Sequence, residues 1–328
     1  MRVIFCGSGA FAVPALRAIL KAGHEVAKIV TQPPRPAGRG GHVRPTPLAQ
    51  AAEAMGRDGS PPQLAAVGGL VEMTACPDVN DPQAVSGLTA AKADVICVAD
   101  FGQFLRKAAR RAAPLGAFNL HASLLPELRG AAPVNWAIIR GYNTTGVTAF
   151  ELVDRMDAGP IYLQAGTDIR TDETAQELRD RLAEIAGGIA CRTLELLSSG
   201  QARGLPQDEA LATLAPRLKK TDGRVDWNAD AVTVRNLIHG TWPWPGGQAV
   251  FKRRDGREVP VVFARAAVAE GQAQGAPGEV DREGFIAAGP GRLAAIQIQP
   301  AGRRLMSWRD FVNGYRVMEG DRFTSVGA

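Results

Sequence analysis

The first thirty residues constrain the fold more than any other stretch. Arg2-Val3-Ile4-Phe5-Cys6 is a short β-rich run that stops at Gly7-Ser8-Gly9. Apolar residues then recur at helical spacing through Val13-Pro14-Ala15-Leu16-Arg17-Ala18-Ile19-Leu20, and Gly23 ends the pattern. Glu25-Val26-Ala27-Lys28-Ile29-Val30 reads as a second strand. Strand, glycine turn, helix and strand together open a doubly wound parallel α/β sheet.

Downstream patterning divides the chain. Residues 49–55 read as a helix, 95–98 as a buried strand, 134–140 as a helix, and 141–152 as a turn into a strand. A long helix is expected over 175–197. Residues 106–111 form a basic helical segment expected to be solvated, and 56–86 is poorly patterned, with a short strand expected at 70–73. With 328 residues, 45% of them hydrophobic, there is room for a second domain. Ser198-Ser199-Gly200 and Gly204-Leu205-Pro206 suggest a linker, giving domains at 1–200 and 216–328 with 201–215 between them. Short alternating runs at 248–251, 259–266, 278–281, 284–288 and 293–299, then a closing helix at 307–315, predict a small β-barrel.

Bulk chemistry excludes more than it selects. A net charge of +5 is a weak hint of a nucleic-acid partner. The four cysteines, Cys6, Cys76, Cys97 and Cys191, lie far apart without a C-x-x-C pair, so neither a disulfide framework nor a metal site is expected. No apolar run approaches membrane-spanning length, and Met1 leads straight into a strand. The expectation is a cytoplasmic protein.

Gly7-x-Gly9-x-x-Ala12 fits the loose dinucleotide fingerprint, which would make the chain an NAD(P)-dependent oxidoreductase. That function needs an acidic residue near the end of the second strand to hold the ribose hydroxyls. Here the strand ends Val30-Thr31-Gln32-Pro33, so the glycines are expected only to allow a tight turn.

A different stretch carries chemistry. Asn119-Leu120-His121-Ala122-Ser123-Leu124-Leu125-Pro126 sets an amide, an imidazole and a hydroxyl within five positions, where an α/β sheet presents side chains to a crevice. Met156-Asp157-Ala158-Gly159-Pro160 adds a carboxylate in a turn-forming run. Asn119 can donate to a developing oxyanion, His121 can relay a proton, and Asp157 can orient and charge-balance the imidazole. Taken singly, each is more often a satisfied structural group. The acid-free run from Gln32 to Pro47 carries Arg35, Arg39 and Arg44 among prolines and glycines that exclude helix and strand. It could contact phosphates or simply be a solvated loop.

The run from Asn119 through Gly159 resembles the catalytic strand and loop of the formyltetrahydrofolate-dependent formyltransferases. Gln32-Pro33-Pro34-Arg35-Pro36-Ala37-Gly38-Arg39-Gly40 is similar to the substrate loop of the methionyl-tRNA branch. Lys219-Lys220-Thr221-Asp222-Gly223-Arg224-Val225-Asp226-Trp227 and Pro243-Trp244-Pro245-Gly246 resemble its C-terminal domain. The resemblance spans nearly the whole chain and leaves only 56–86 without a counterpart. It implies a Rossmann-like catalytic domain followed by an OB-like barrel that binds tRNA. It implies an enzyme that takes 10-formyltetrahydrofolate as co-substrate and charged initiator tRNA as acceptor, working as a monomer without metal. It assigns catalysis to Asn119, His121 and Asp157, and folate contact to Phe101, Gly102, Ser123, Leu124, Leu125 and Pro126. Contact with tRNA falls to Arg35, Arg39, Arg44, Lys219 and Lys220. Asp100 and Glu127 depart from the usual pattern and add negative charge near the folate and tRNA approaches. A sugar-nucleotide amine is the alternative acceptor within the same superfamily.

Overall fold

The structure, a computed structural model, describes residues 1–37, 42–57, 72–272 and 274–327. The opening follows its pattern: β1 (Arg2–Gly7), α1 (Ala12–Lys21), β2 (Glu25–Thr31). Next come a short hairpin of β3 (Arg35–Ala37) and β4 (His42–Arg44), then α2 (Pro47–Arg57), β5 (Glu72–Ala75) and α3 (Pro82–Ala90). The chain continues through β6 (Val95–Ala99), α4 (Lys107–Arg110), β7 (Ala117–His121), α5 (Pro133–Ile139), β8 (Thr144–Glu151), β9 (Ile161–Asp168) and α6 (Ala175–Ser198).

The first sheet has the order β5-β2-β1-β6-β7-β8-β9. Pairing is parallel from β5 through β7, and β8 runs antiparallel to β7. The chain leaves β1 toward β2 and returns to β6 on the other side, so the order reverses between them. In open α/β sheets the crevice outside the carboxyl ends of the strands at such a reversal is where ligands bind. Ile4, Cys6, Val30, Ile96 and Val98 of the strands pack with Phe101, Leu105 and Ala109 into one core. Cys6, Cys76 and Cys97 are buried free thiols.

The glycine turn after β1 is a packing device. A Cβ on Gly7 would lie 2.9 Å from both Ala12 Cβ and the Ala99 carbonyl oxygen. One on Gly9 would lie 1.7 Å from Asp100 Oδ2. A carboxylate therefore presses on the turn where a dinucleotide would place its phosphates, which argues against the oxidoreductase reading.

Several local expectations change. The arginine segment does pair: Arg35 opposes Arg44 and Pro36 opposes Val43. Proline has the φ of an extended chain, and a three-residue strand tolerates its missing donor. Arg39 lies outside the described residues. In the poorly patterned stretch, α3 is capped by Asp81, whose side chain accepts from Gln83 N, with Pro82 in the first turn. The short strand is Glu72–Ala75, and Leu70 and Val71 lie outside the described residues. Arg110 is not solvated. It is buried, and its guanidinium donates to Leu105 O (3.0 Å), Val153 O (2.8 Å) and Asp154 Oδ1 (2.7 Å).

The chain divides into two compact units. One takes 1–130, 145–167 and 179–214; the other takes 131–144, 168–178 and everything from 215. Segments containing α5 and the start of α6 thus group with the C-terminal part, whereas the sequence suggested consecutive domains. The second unit adds α7 (Ala231–Thr241), β10 (Gly247–Lys252), β11 (Glu258–Ala269), β12 (Ile286–Ala287), β13 (Arg292–Pro300), β14 (Met306–Ser307), α8 (Trp308–Tyr315) and β15 (Arg322–Ser325). Its antiparallel strands follow the order β12-β13-β11-β10-β15. Register shifts around Arg265 bend β11, as a half-barrel requires. The expected closing helix is α8, capped by Ser307, but the chain goes on to β15, which pairs with β10. The expected strand at 278–281 is reduced to isolated bridges. Trp227, Phe251, Phe263, Phe311 and Phe323 fill the core. Among the described residues no helix is long and apolar enough to cross a membrane.

Candidate active site

Asn119 and His121 sit two residues apart on β7, so they share a face of the strand. Asn119 is half-buried between Val98 of β6 and Phe150 of β8. Its amide makes no hydrogen bond among the described residues. His121 is buried and set edge-on to Phe150, ring centroids 6.4 Å apart. His121 Nε2 lies 2.9 Å from the Leu128 carbonyl oxygen. A carbonyl can only accept, so Nε2 carries a proton, and in the neutral tautomer Nδ1 is the acceptor. That atom faces Asp157 Oδ2 across 3.8 Å. The gap is too long for a hydrogen bond, and one can close there only when Nδ1 carries a proton.

Asp157 holds its place by an unusual backbone. Its φ is +51°, a left-handed conformation that aspartate tolerates better than most residues. Its Oδ2 accepts from Gly130 N at 2.8 Å. Leu128, at φ +59°, shares the left-handed region.

The residues expected to meet folate behave differently from one another. Phe101 is packed in the core of the sheet, and its backbone carbonyl accepts from Gln32 Nε2 (2.8 Å) and Ser8 Oγ (3.2 Å). Gly102 has φ +74°, and a Cβ there would lie 2.5 Å from Gln32 Nε2, so the turn needs glycine. Ser123 is fully buried, and its hydroxyl donates to Glu127 O at 2.7 Å. Leu125 is buried and its N donates to Thr148 Oγ1, while Leu124 and Pro126 are half-buried. Asp100 is open to solvent by surface area yet crowded by the turn, and partial desolvation raises its carboxyl pKa despite Arg179. Arg35 and Arg44 are exposed on the hairpin; in the second unit Lys219 and Lys220 are exposed beside a short helical turn.

Sequence reasoning missed the support. Arg129, which is buried, donates to Gln207 Oε1 through Nε (3.1 Å) and Nη2 (2.7 Å), and forks onto both oxygens of Glu209. Hydrogen bonds from Arg129, then Arg155, hold the Glu209 carboxyl down to about 2. These partners lie in the stretch read as a linker.

Comparison with known proteins agrees with this architecture. The formyl transferase family model matches residues 1–194, and the model of the formyl transferase C-terminal domain matches 217–316. The methionyl-tRNA formyltransferase of Solibacter usitatus is 38% identical over 327 residues, covering 98% of both chains. Among solved structures, an N-formyltransferase from Helicobacter canadensis, in complex with folinic acid and dTDP-3-aminofucose, shares the fold at TM-score 0.63 and 13% identity. The match covers 91% of this chain and 98% of that one. HypX from Aquifex aeolicus, in complex with tetrahydrofolic acid, matches at TM-score 0.61 and 19% identity. There 96% of this chain spans 47% of the longer HypX chain. With both domains present and this identity over its whole length, the chain belongs to the methionyl-tRNA formyltransferase family.

Proposed function

We propose that the chain transfers the formyl group of 10-formyltetrahydrofolate to the α-amine of methionyl-initiator tRNA, as used in translation initiation. The observation that carries this reading is the unpartnered Asn119 amide beside the His121–Asp157 pair at the end of β7. The folate co-substrate supplies an activated one-carbon acyl group. The residues present fit such a partner: an amide without a mate, and a glycine turn at 102 that lets backbone approach a flat ring. The Phe101 and Leu125 side chains belong to the core, so Phe101, Gly102 and 123–126 serve folate mainly by shaping the backbone wall.

Asn119 donates to the formyl oxygen as negative charge develops on it, a role worth on the order of 3 kcal/mol. His121 Nδ1 takes the proton released by the attacking amine, and Asp157 Oδ2 then accepts a hydrogen bond from the new Nδ1–H. The protonated ring adds a positive charge beside the oxyanion, and its proton goes to N10 as the formyl C–N10 bond breaks and tetrahydrofolate leaves. Leu128 O keeps the ring in the orientation that aims Nδ1 at the carboxylate.

Arg35 and Arg44 stand opposite one another on the hairpin, and neither has an acidic partner among the described residues. Opposed like charges repel unless an anion lies between them, which suits a phosphate of the acceptor arm. Arg39, outside the described residues, is assigned to tRNA by the matched loop alone, and Lys219 and Lys220 extend tRNA contact in the second unit. The enzyme is proposed to work as a monomer, and the buried free cysteines suit the cytoplasm. The test is to offer the enzyme 10-formyltetrahydrofolate with either charged initiator tRNA or a sugar-nucleotide amine. Formylation of the tRNA is expected; transfer to the sugar amine alone would replace the tRNA reading.

A further inference from the structure

We propose that Gln207 is a positioning residue for catalysis, and that 207–213 is a strap tying together the loops that carry His121 and Asp157. The inference rests on the catalytic reading of those two residues. Gln207 Nε2 donates to the carbonyl oxygens of Asp157 (2.9 Å) and Gly159 (2.8 Å). Its Oε1 accepts from the buried Arg129. One amide thus uses its donor on the Asp157 loop and its acceptor on the loop after His121.

The other end of the strap repeats the pattern. Thr213 Oγ1 accepts from Leu128 N (2.8 Å), and Thr213 O accepts from Arg129 N (2.8 Å). Leu128 in turn supplies the carbonyl that fixes the His121 ring. One end of the strap therefore holds the backbone of Asp157 directly, and the other reaches the His121 ring through Leu128 alone.

The backbone explains why a strap is needed. Asp157 and Leu128 both stand at positive φ, a conformation that persists only when neighbouring contacts hold it. Without Gln207, two carbonyls at 157 and 159 lose their donor and the turn relaxes. The 3.8 Å separation between His121 Nδ1 and Asp157 Oδ2 then drifts, and misplacement on the order of 1 Å can cost about 100-fold in rate.

Two variants separate positioning from plain structural support. Q207E keeps the shape and an acceptor for Arg129 but loses the N–H donors; Q207L removes both. Each is measured for formyl transfer to methionyl-tRNA, alone and combined with D157A, together with KM for both substrates and the melting temperature. Expected are a fall in kcat of roughly 10- to 100-fold for both variants with KM nearly unchanged, and little further loss in the D157A background. If Q207L does not fold, Q207E carries the comparison. A kcat within threefold of the parent overturns the strap, as does an equal fractional loss with and without Asp157. Near-parental turnover of D157A alone would instead overturn the catalytic reading on which the strap depends.

Discussion

At the scale of single residues the proposed mechanism pairs a strained carboxylate, Asp157, with a pinned imidazole, His121. The charge of Asp157 and its backbone conformation can be separated, because asparagine also tolerates positive φ. D157N should keep its melting temperature close to the parent while kcat falls by roughly 100-fold or more. Retention of turnover in D157N would show that geometry alone suffices. N119A should cost on the order of 100- to 1,000-fold in kcat, measured at saturating folate. Asn119, His121 and Asp157 could be singled out in the sequence only as a set within a longer run of words, and the structure brings His121 and Asp157 together. Gln207 could not be, since its partners Arg129 and Asp157 lie 78 and 50 positions away and a local pattern cannot register them. The commitment of the Ser123 hydroxyl to Glu127 O is likewise invisible in a local pattern.

At the scale of elements, periodicity located β1, α1, β2, α2, β6, α5, β8 and α6, because buried strands and amphipathic helices write their environment into the sequence, while α3 and β9 went unread. What escaped was pairing at long range. β15 is only four residues long, and its register with β10 joins positions some seventy apart. The hairpin of β3 and β4 escaped because proline and glycine were read as breakers, although Pro36 sits comfortably in a short extended strand. The hairpin now makes a sharper statement about RNA. Removing one phosphate contact with R35A or R44A should flatten the slope of log affinity for tRNA against log salt by about 0.7 to 0.9 units. Folate binding should not change. Equal slopes for parent and variants, measured by titration at several salt concentrations, would make the hairpin a solvated tether.

At the scale of the whole molecule, the two-part family architecture was visible from the glycine-turn opening and the C-terminal β pattern. Burial in the second unit also sets a pH limit. His239 is buried, and Nε2 accepts from Ala266 N at 3.1 Å, a role only the unprotonated nitrogen can fill. Desolvation, with nearby Arg265 and Arg235, lowers its pKa to about 4. An unfolded chain binds that proton near 6.5, so stability from neutral His239 is complete above pH 6.5 and is lost as pH falls toward 4. The loss is on the order of 3 kcal/mol. Melting curves of H239Q should show a weaker dependence over that window than the parent; identical curves would place the sensitivity elsewhere. The central claim is that a pinned imidazole at the end of β7 drives formyl transfer to an aminoacyl-tRNA. It is tested most directly by the single-turnover rate of formyl-methionyl-tRNA formation from 10-formyltetrahydrofolate, with the parent enzyme and H121A side by side. The parent should formylate the tRNA and H121A should be slower by roughly 100-fold or more at an unchanged melting temperature. Near-parental formylation by folded H121A would contradict the claim.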